Sequence, residues 1–223
     1  KPMINVDLQV KHFVYEGSKL GNWEANAVYL PGSSNDHHVD GFLLHEGEEI
    51  GHINGIYLNA KTGSGSLTAE VDLERFPLYV VNPFVPDNVI EFDGRLDGTL
   101  SARGNPLNPV LNGQLSLDSV SMYLPDLSAR FGFDRHPLQV TDSKLALKDF
   151  RLYTKGKAPL TVNGTIDMTR LTQMELNLWM KADNYELLNA PKTKRAVTYG
   201  KIYVDVNAFL RGSMDNLVMR GNM

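Results

Sequence analysis

The chain has 223 residues, 42% hydrophobic and 22% charged, with a formal net charge of −4. This composition excludes a disordered polar chain, and the charge gives no reason to expect a nucleic-acid partner. The chain has no cysteine, which excludes disulfides and thiolate metal sites, and no run of ~18 uncharged apolar residues that could span a membrane as a helix.

Apolar and polar residues alternate along most of the chain, beginning close to its first residue. The alternating apolar positions include Ile4, Val6, Leu8 and Val10, and later Leu67, Ala69, Val71 and Leu73. Because successive side chains of a strand point to opposite faces, this period predicts strands with one apolar face. The pattern is typical of an antiparallel sheet with one solvated side. The one segment that suggests a helix is 184–190, which ends before a proline.

The clearest interruption is residues 76–88, where three prolines argue against a central strand. We take this segment as a soft boundary between an upstream β repeat unit, 1–86, and further β repeat units, 87–223. A loop or short helix is expected near 184–199. The two parts are expected to form one continuous β structure.

Glycines recur inside the strand-like stretch "GRLDGTLSARGNPLNPVLNGQLSL", residues 94–117. Glycine inside a strand marks a bulge, a bend or a close approach of two backbones, and a strongly curled sheet needs such positions. The alternative is that Asn54-Gly55, Asn112-Gly113 and Asn163-Gly164 are hairpin turns, and the sequence leaves both interpretations open. Residues 104–113 and 212–221 share the pattern Gly-x-x-x-Asn-x-x-x-x-Gly, which indicates repeated strand units.

Clusters of histidines and acids are the candidates for chemistry. They are His37, His38, His45 and His52 with Asp36 and Asp40, and Glu46, Glu48 and Glu49 around Gly47. Since the first two histidines are adjacent in a predicted loop, 30–38, and no helical i, i+4 pair exists, we expect solvated side chains and no metal. The glutamates predict a charged hairpin turn. The basic residues 192–195 could touch anionic headgroups, but a solvated loop is the expectation. We expect no enzymatic activity and no cofactor.

Three stretches resemble the TamB family, within the AsmA-like group of bridge-like cell-envelope proteins. They are "DGRLDGTLSARGNPLNPVLNGQLSL" (93–117), "PLTVNGTIDM" (159–168) and "YGKIYVDVNAFLRGSMDNLVMRGNM" (199–223). The stretches "KLGNWEANAVY" (19–29) and "FPLYVVNPFVPDN" (76–88) also look like the upstream repeat of that family. These motifs are structural repeats and not a catalytic signature.

The resemblance implies a periplasmic β-structure, anchored in the inner membrane by a segment absent here. Its sheet would curl into a taco-like groove with a hydrophobic inner face. It would act in outer-membrane biogenesis, either by shielding phospholipid acyl chains between membranes or by assisting the translocation and assembly of outer-membrane proteins. An outer-membrane BamA-like barrel would be contacted through regions outside this chain, which we take to be a piece of a longer protein.

We therefore expect an all-β, elongated, strongly curved antiparallel sheet of repeat type with an apolar concave face. The residues expected to line it are Leu96, Leu100, Leu115, Leu117, Leu160, Val162, Ile166, Met174, Leu176, Leu178, Met180, Ile202, Val204, Val206 and Leu210. Thr161, Asn163, Asp205 and Asn207 are expected to face water. The expected partners are phospholipid acyl chains or, alternatively, unfolded outer-membrane protein strands that pair with a sheet edge. A closed sandwich core would give a similar apolar pattern.

Overall fold

A computed structural model describes residues 3–32, 35–59, 65–84, 90–125, 129–156, 158–170, 173–190, 200–213 and 216–222. These residues form one antiparallel sheet of fourteen strands, which confirms the all-β, curved fold class. The strands are β1 (Ile4–Tyr15), β2 (Ser18–Pro31), β3 (Asp36–His45), β4 (Glu48–Leu58), β5 (Ser66–Pro77), β6 (Glu91–Gly104), β7 (Val110–Leu124), β8 (Ala129–Phe133), β9 (Leu138–Thr141), β10 (Lys144–Tyr153), β11 (Leu160–Asp167), β12 (Glu175–Ala190), β13 (Gly200–Ser213) and β14 (Val218–Asn222). A 3-10 helix, Leu78–Phe84, follows β5.

Strand order in the sheet follows the order of the strands in the chain almost throughout. The exception lies between β7 and β10, where β8 and β9 share one row: β9 pairs with the first half of β7 and β8 with its last residues. The break at 76–88 does not interrupt the sheet, because β5 pairs directly with β6. Among the described residues, β1 and β14 are the two edge strands.

One face of this sheet is apolar from β1 to β13. Residues directly opposite each other on neighbouring strands share a face. One unbroken row of opposed residues is Val6, Ala27, Gly41, Ile53, Val71, Leu100, Gly113, Val140, Leu145, Ile166, Leu176 and Gly212. Every member is apolar or glycine. We call this the inner face, and the opposite one the outer face.

The sheet bends toward the inner face between β8 and β12. In a flat sheet β8 and β12, three rows apart, would be separated by about 14 Å. Here the Cα atoms of the two strands approach within 8 Å. The rings of Phe131 and Tyr185, both on the inner face, lie 6.4 Å apart between centroids. The inner face is therefore concave.

A repeated bulge contributes to this curvature. On β1, β5, β10 and β12, two residues oppose a single residue of the next strand, and the second of the two has positive φ. Its backbone N–H donates to the side chain of the opposed Asn or Asp. The four pairs are His12 to Asn22 (2.9 Å), Arg75 to Asp97 (2.8 Å), Asp149 to Asn163 (2.8 Å) and Asn184 to Asp205 (2.6 Å). A bulge bends the strand and increases its twist, and here a side chain satisfies the N–H that the bulge turns out of the ladder.

Replacing Asn163 with alanine should lower the free energy of unfolding by about 1 kcal/mol, since the N–H of Asp149 loses its acceptor and water replaces it only in part. Denaturant melting followed by circular dichroism measures this change. Asn177→Ala is the matched control, because Asn177 is an exposed amide on the same face of the neighbouring strand. Equal melting of the two variants would show that the bulge does not depend on this hydrogen bond.

Gly98, Gly113 and Gly164 mark close approaches of two backbones, and the interpretation as hairpin turns is wrong at all three Asn-Gly sites. Gly55, Gly113 and Gly164 lie inside β4, β7 and β11. Gly98 and Gly113 have φ of 148° and 156°. A Cβ at Gly98 would lie 2.2 Å from the carbonyl oxygen of Gln114, so only glycine fits this conformation and spacing.

The short helix expected within 184–199 is not formed at 184–190, which belongs to strand β12. The bulge at Asn184 explains the error. It shifts the inward positions from even to odd numbers, so that Ala182 and Tyr185 are both buried three residues apart. That spacing imitates the period of a helix. Residues 191–199 lie outside the described residues.

Candidate functional site

Two buried clusters fill the middle of the inner face. The first contains Leu115, Val140 and Leu145, with Val140 fully buried, and gathers side chains from β5 to β11. The second contains Phe131 and Tyr185 and gathers side chains from β7, β8, β11, β12 and β13. Burial raises the pKa of Tyr185 to about 12, so its hydroxyl stays neutral. In the middle of the sheet, inner-face side chains from several strands therefore pack against one another.

The inner face is exposed to solvent on the first strands of the chain. Its exposed apolar side chains on β1, β3 and β4, which we call the open end, are Ile4 (49% exposed), Val6 (52%), Leu8 (57%), Val10 (36%), Val39 (36%) and Ile53 (42%). They belong to one apolar surface, because only Ala27 and Gly41 lie between Val6 and Ile53 in the row that crosses these strands. A contiguous exposed apolar surface of this kind is typical of a binding site.

Fourteen of the fifteen residues expected to line the groove lie in strands, and cross-strand pairing brings them to the inner face. Met174 precedes β12 and is outside the ladder. Most of the fourteen are buried or half-buried, and Ile202 is 45% exposed. Asp205 and Asn207 are exposed on the outer face, whereas Thr161 and Asn163 lie there half-buried.

Sequence reasoning missed the open end as a candidate site, although its signal was present. The alternation of Ile4, Val6, Leu8 and Val10 is as regular as any in the chain. A period of two shows which side chains share a face, but it does not show which part of that face is covered by the rest of the sheet.

The histidines do not converge, and two of them were misplaced. His37 and His38 lie on β3 and not in a loop, and they point to opposite faces. His38 and His52 lie on the outer face, and His52 contacts Asp40 at 2.7 Å. His45 is buried on the inner face, with Nε2 3.1 Å from the hydroxyl of Tyr79. Within the described part of the chain, no three His, Asp or Glu side chains group as metal ligands.

The glutamates form the expected charged hairpin turn. Glu46 and Gly47, both with positive φ, connect β3 and β4. The carboxylate of Glu46 accepts hydrogen bonds from the backbone and side-chain nitrogens of Asn22, at 2.8 and 2.9 Å. These bonds lower the pKa of Glu46. Because they favour the ionised form, their contribution to stability is present above the ordinary pKa of glutamate and is lost as pH falls through the lowered pKa.

No protein-family model, no curated protein and no solved structure matches this chain. In the part of the chain that the structure describes, no helix is both long enough and apolar enough to cross a membrane. The basic residues 192–195 lie outside the described residues. The candidate site is therefore defined by the inner face, its two packed clusters and its open end.

Proposed function

We propose that the inner face binds phospholipid acyl chains and shields them from water, as the periplasmic part of a TamB-like protein in outer-membrane biogenesis. The observation that carries this proposal is the unbroken apolar row from β1 to β13, exposed at the end formed by β1 to β4. Burying one CH₂ group contributes about 0.8 kcal/mol, so a chain of ~16 carbons gains on the order of 13 kcal/mol. No polar pocket is needed for this binding.

The exposure of the inner face suggests where an acyl chain would first lie. Leu8 and Val6 are more than half exposed, whereas Val140 is not exposed at all. An acyl chain would thus lie against the open end. To continue along the face it would have to separate side chains that pack around Val140, and passage would depend on a local opening of the sheet.

Native mass spectrometry of the purified chain tests the proposal directly. We expect phospholipid to co-purify, with species that differ in headgroup because shielding of the acyl chain needs no polar contact with the headgroup. The control is protein stripped of lipid with detergent and then reloaded from vesicles. If the stripped protein does not reload, and the purified protein carries no lipid, the proposal is wrong.

Leu8→Asp should abolish lipid loading without unfolding the sheet. Leu8 is 57% exposed, so water can hydrate the new carboxylate in the empty protein. A bound acyl chain would exclude that water, which costs several kcal/mol. Crosslinking to a photoreactive phospholipid measures loading, and thermal melting measures the fold. Asn5→Asp, on the outer face of the same strand and opposite Val28, is the control. Loading that survives Leu8→Asp would remove the open end from the acyl-chain path.

The length of the edge strand favours a second candidate function, a scaffold for unfolded outer-membrane protein strands. β1 has twelve residues, and among the described residues only β2 pairs with it. An edge of this length can accept a further strand through backbone hydrogen bonds. Hydrogen exchange distinguishes the two functions. An added strand would protect the backbone amides of β1 that point away from β2, whereas an acyl chain would leave these amides exchanging.

A further inference from the structure

A second exposed patch lies on the outer face, at the far end of the sheet from the open end. Trp179 on β12 lies directly opposite Phe209 on β13, which lies opposite Arg220 on β14. The two aromatic rings stack with centroids 6.3 Å apart. Trp179 is 39% exposed and Phe209 is 57% exposed. This exposed aromatic pair stands on the polar side of the sheet.

Three cations surround the aromatic pair. Lys181 lies two residues after Trp179 on β12, and Arg211 lies two residues after Phe209 on β13. Arg220 lies directly opposite Phe209 on β14. All three are exposed. Within the described ranges, none has a carboxylate oxygen within 4.0 Å. We call Lys181, Arg211, Arg220, Trp179, Phe209 and Val218 the outer patch.

Three acids stand beside the outer patch on β12 and β13: Asp183 is exposed two residues from Lys181, and the other two are engaged with other groups. Asp205, on β13, accepts the backbone N–H of Asn184 at 2.6 Å. Glu175, on β12, lies 3.8 Å from Arg170. The chain as a whole is acidic, with a net charge of −4, whereas the three cations of the outer patch, these three acids and Arg170 together carry one net positive charge.

We propose that the outer patch docks onto an anionic lipid membrane surface. Cations attract anionic headgroups, while tryptophan and phenylalanine insert into the interfacial region. Trp179 also donates its indole N–H to Asn207 at 2.9 Å, which leaves a polar edge and an apolar ring on one side chain. Such side chains favour the boundary between water and lipid.

The geometry of the patch favours a surface over a small ligand. Its side chains stand on three adjacent strands, where directly opposed residues lie about 5 Å apart, so they present a broad face. An acidic protein is the competing occupant. The exposed aromatic pair and Val218, which is 50% exposed, favour a membrane over a protein, because their apolar side chains can insert between lipid headgroups.

Trp179 itself can report the docking. The chain has two tryptophans, so Trp23→Phe leaves Trp179 as the single emitter. We expect its emission to shift to the blue when vesicles of phosphatidylcholine with phosphatidylglycerol are added, and to remain unchanged with phosphatidylcholine alone. High salt should reverse the shift, because exposed charges are screened. Sedimentation of the unmodified protein with the same vesicles provides an independent measurement.

The R211Q/R220Q variant should bind the anionic vesicles about 25-fold more weakly, which is about 5-fold for each cation removed. R103Q/K148Q makes the same change of charge at exposed positions on β6 and β10 and should bind as the unmodified protein does. Phe209→Ser should reduce the blue shift. Thermal melting must show that all these variants are folded.

Three results would overturn the proposal. They are equal binding to neutral vesicles, equal loss of binding in both charge variants, and no binding to either kind of vesicle; the last would leave the patch to an acidic protein partner. The proposal does not rest on acyl-chain binding by the inner face. Leu8→Asp should leave the docking of Trp179 unchanged, so the two ideas can fail separately.

Discussion

Val140→Asp is expected to unfold the middle of the sheet. Val140 is fully buried on β9, opposite Gly113 on one side and Leu145 on the other. An unpaired carboxylate there has no partner and no water, and the loss of stability should reach about 4 kcal/mol or more. Because domains are stable by about 5–15 kcal/mol, this is a large fraction of the total. Denaturant melting followed by circular dichroism measures the loss.

Thr141→Asp is the control for this change, because Thr141 is the next residue on β9, is exposed and pairs with Lys144. It should melt close to the unmodified protein. If Val140→Asp also melted normally, the first cluster would be accessible to water in solution. The inner face would then be an open groove along its whole length, and the acyl chain would need no local opening.

Gly113→Ala should be among the most damaging glycine substitutions in the sheet. The added Cβ would lie 2.0 Å from the carbonyl oxygen of Thr99, so β6 and β7 would have to separate. This contact and the positive φ should together cost about 2–4 kcal/mol. Gly132→Ala is the matched control, because there the nearest atom, the carbonyl oxygen of Tyr153, is 3.8 Å away.

The outcome for Gly113→Ala bears on how the sheet curves. If the two alanine variants melt alike, the strands can move apart without loss, and glycine is not required for their close approach. If only Gly113→Ala is destabilised, Gly94, Gly98 and Gly113 hold neighbouring backbones at the spacing that the bend requires. The measurement is again the free energy of unfolding in denaturant.

The inner face could be predicted from the sequence because its physical cause is local. A strand turns alternate side chains to one face, so the parity of Leu176, Leu178 and Met180 could be determined without any neighbour. Pairing then aligns the apolar faces of adjacent strands, since a slip by one residue would expose each apolar side chain. This cooperation between period and register places Leu178, at 8% exposed, opposite the inward Leu210.

The remainder could not be predicted because it depends on contacts between distant residues. The bulge at Asn184 requires Asp205 on the next strand, and the sequence around Asn184 does not reveal that partner. Likewise, the exposure of Leu8 and the burial of Val140 reflect how far the sheet curls at each point. The alternation of apolar and polar residues is the same around Leu8 and around Val140, so it does not distinguish an exposed side chain from a buried one.

The order of the strands has a mechanical consequence. Since nearly every strand is hydrogen-bonded to its neighbours in sequence, a pull on the two ends of the chain loads the edge strands β1 and β14 first. Each strand can then be peeled away while the next one stays in place. We expect a stretching trace with several small steps, followed by one larger rupture when the rows around Val140 and Tyr185 separate. A sheet built in this way can lengthen at its ends under tension and still keep its centre intact.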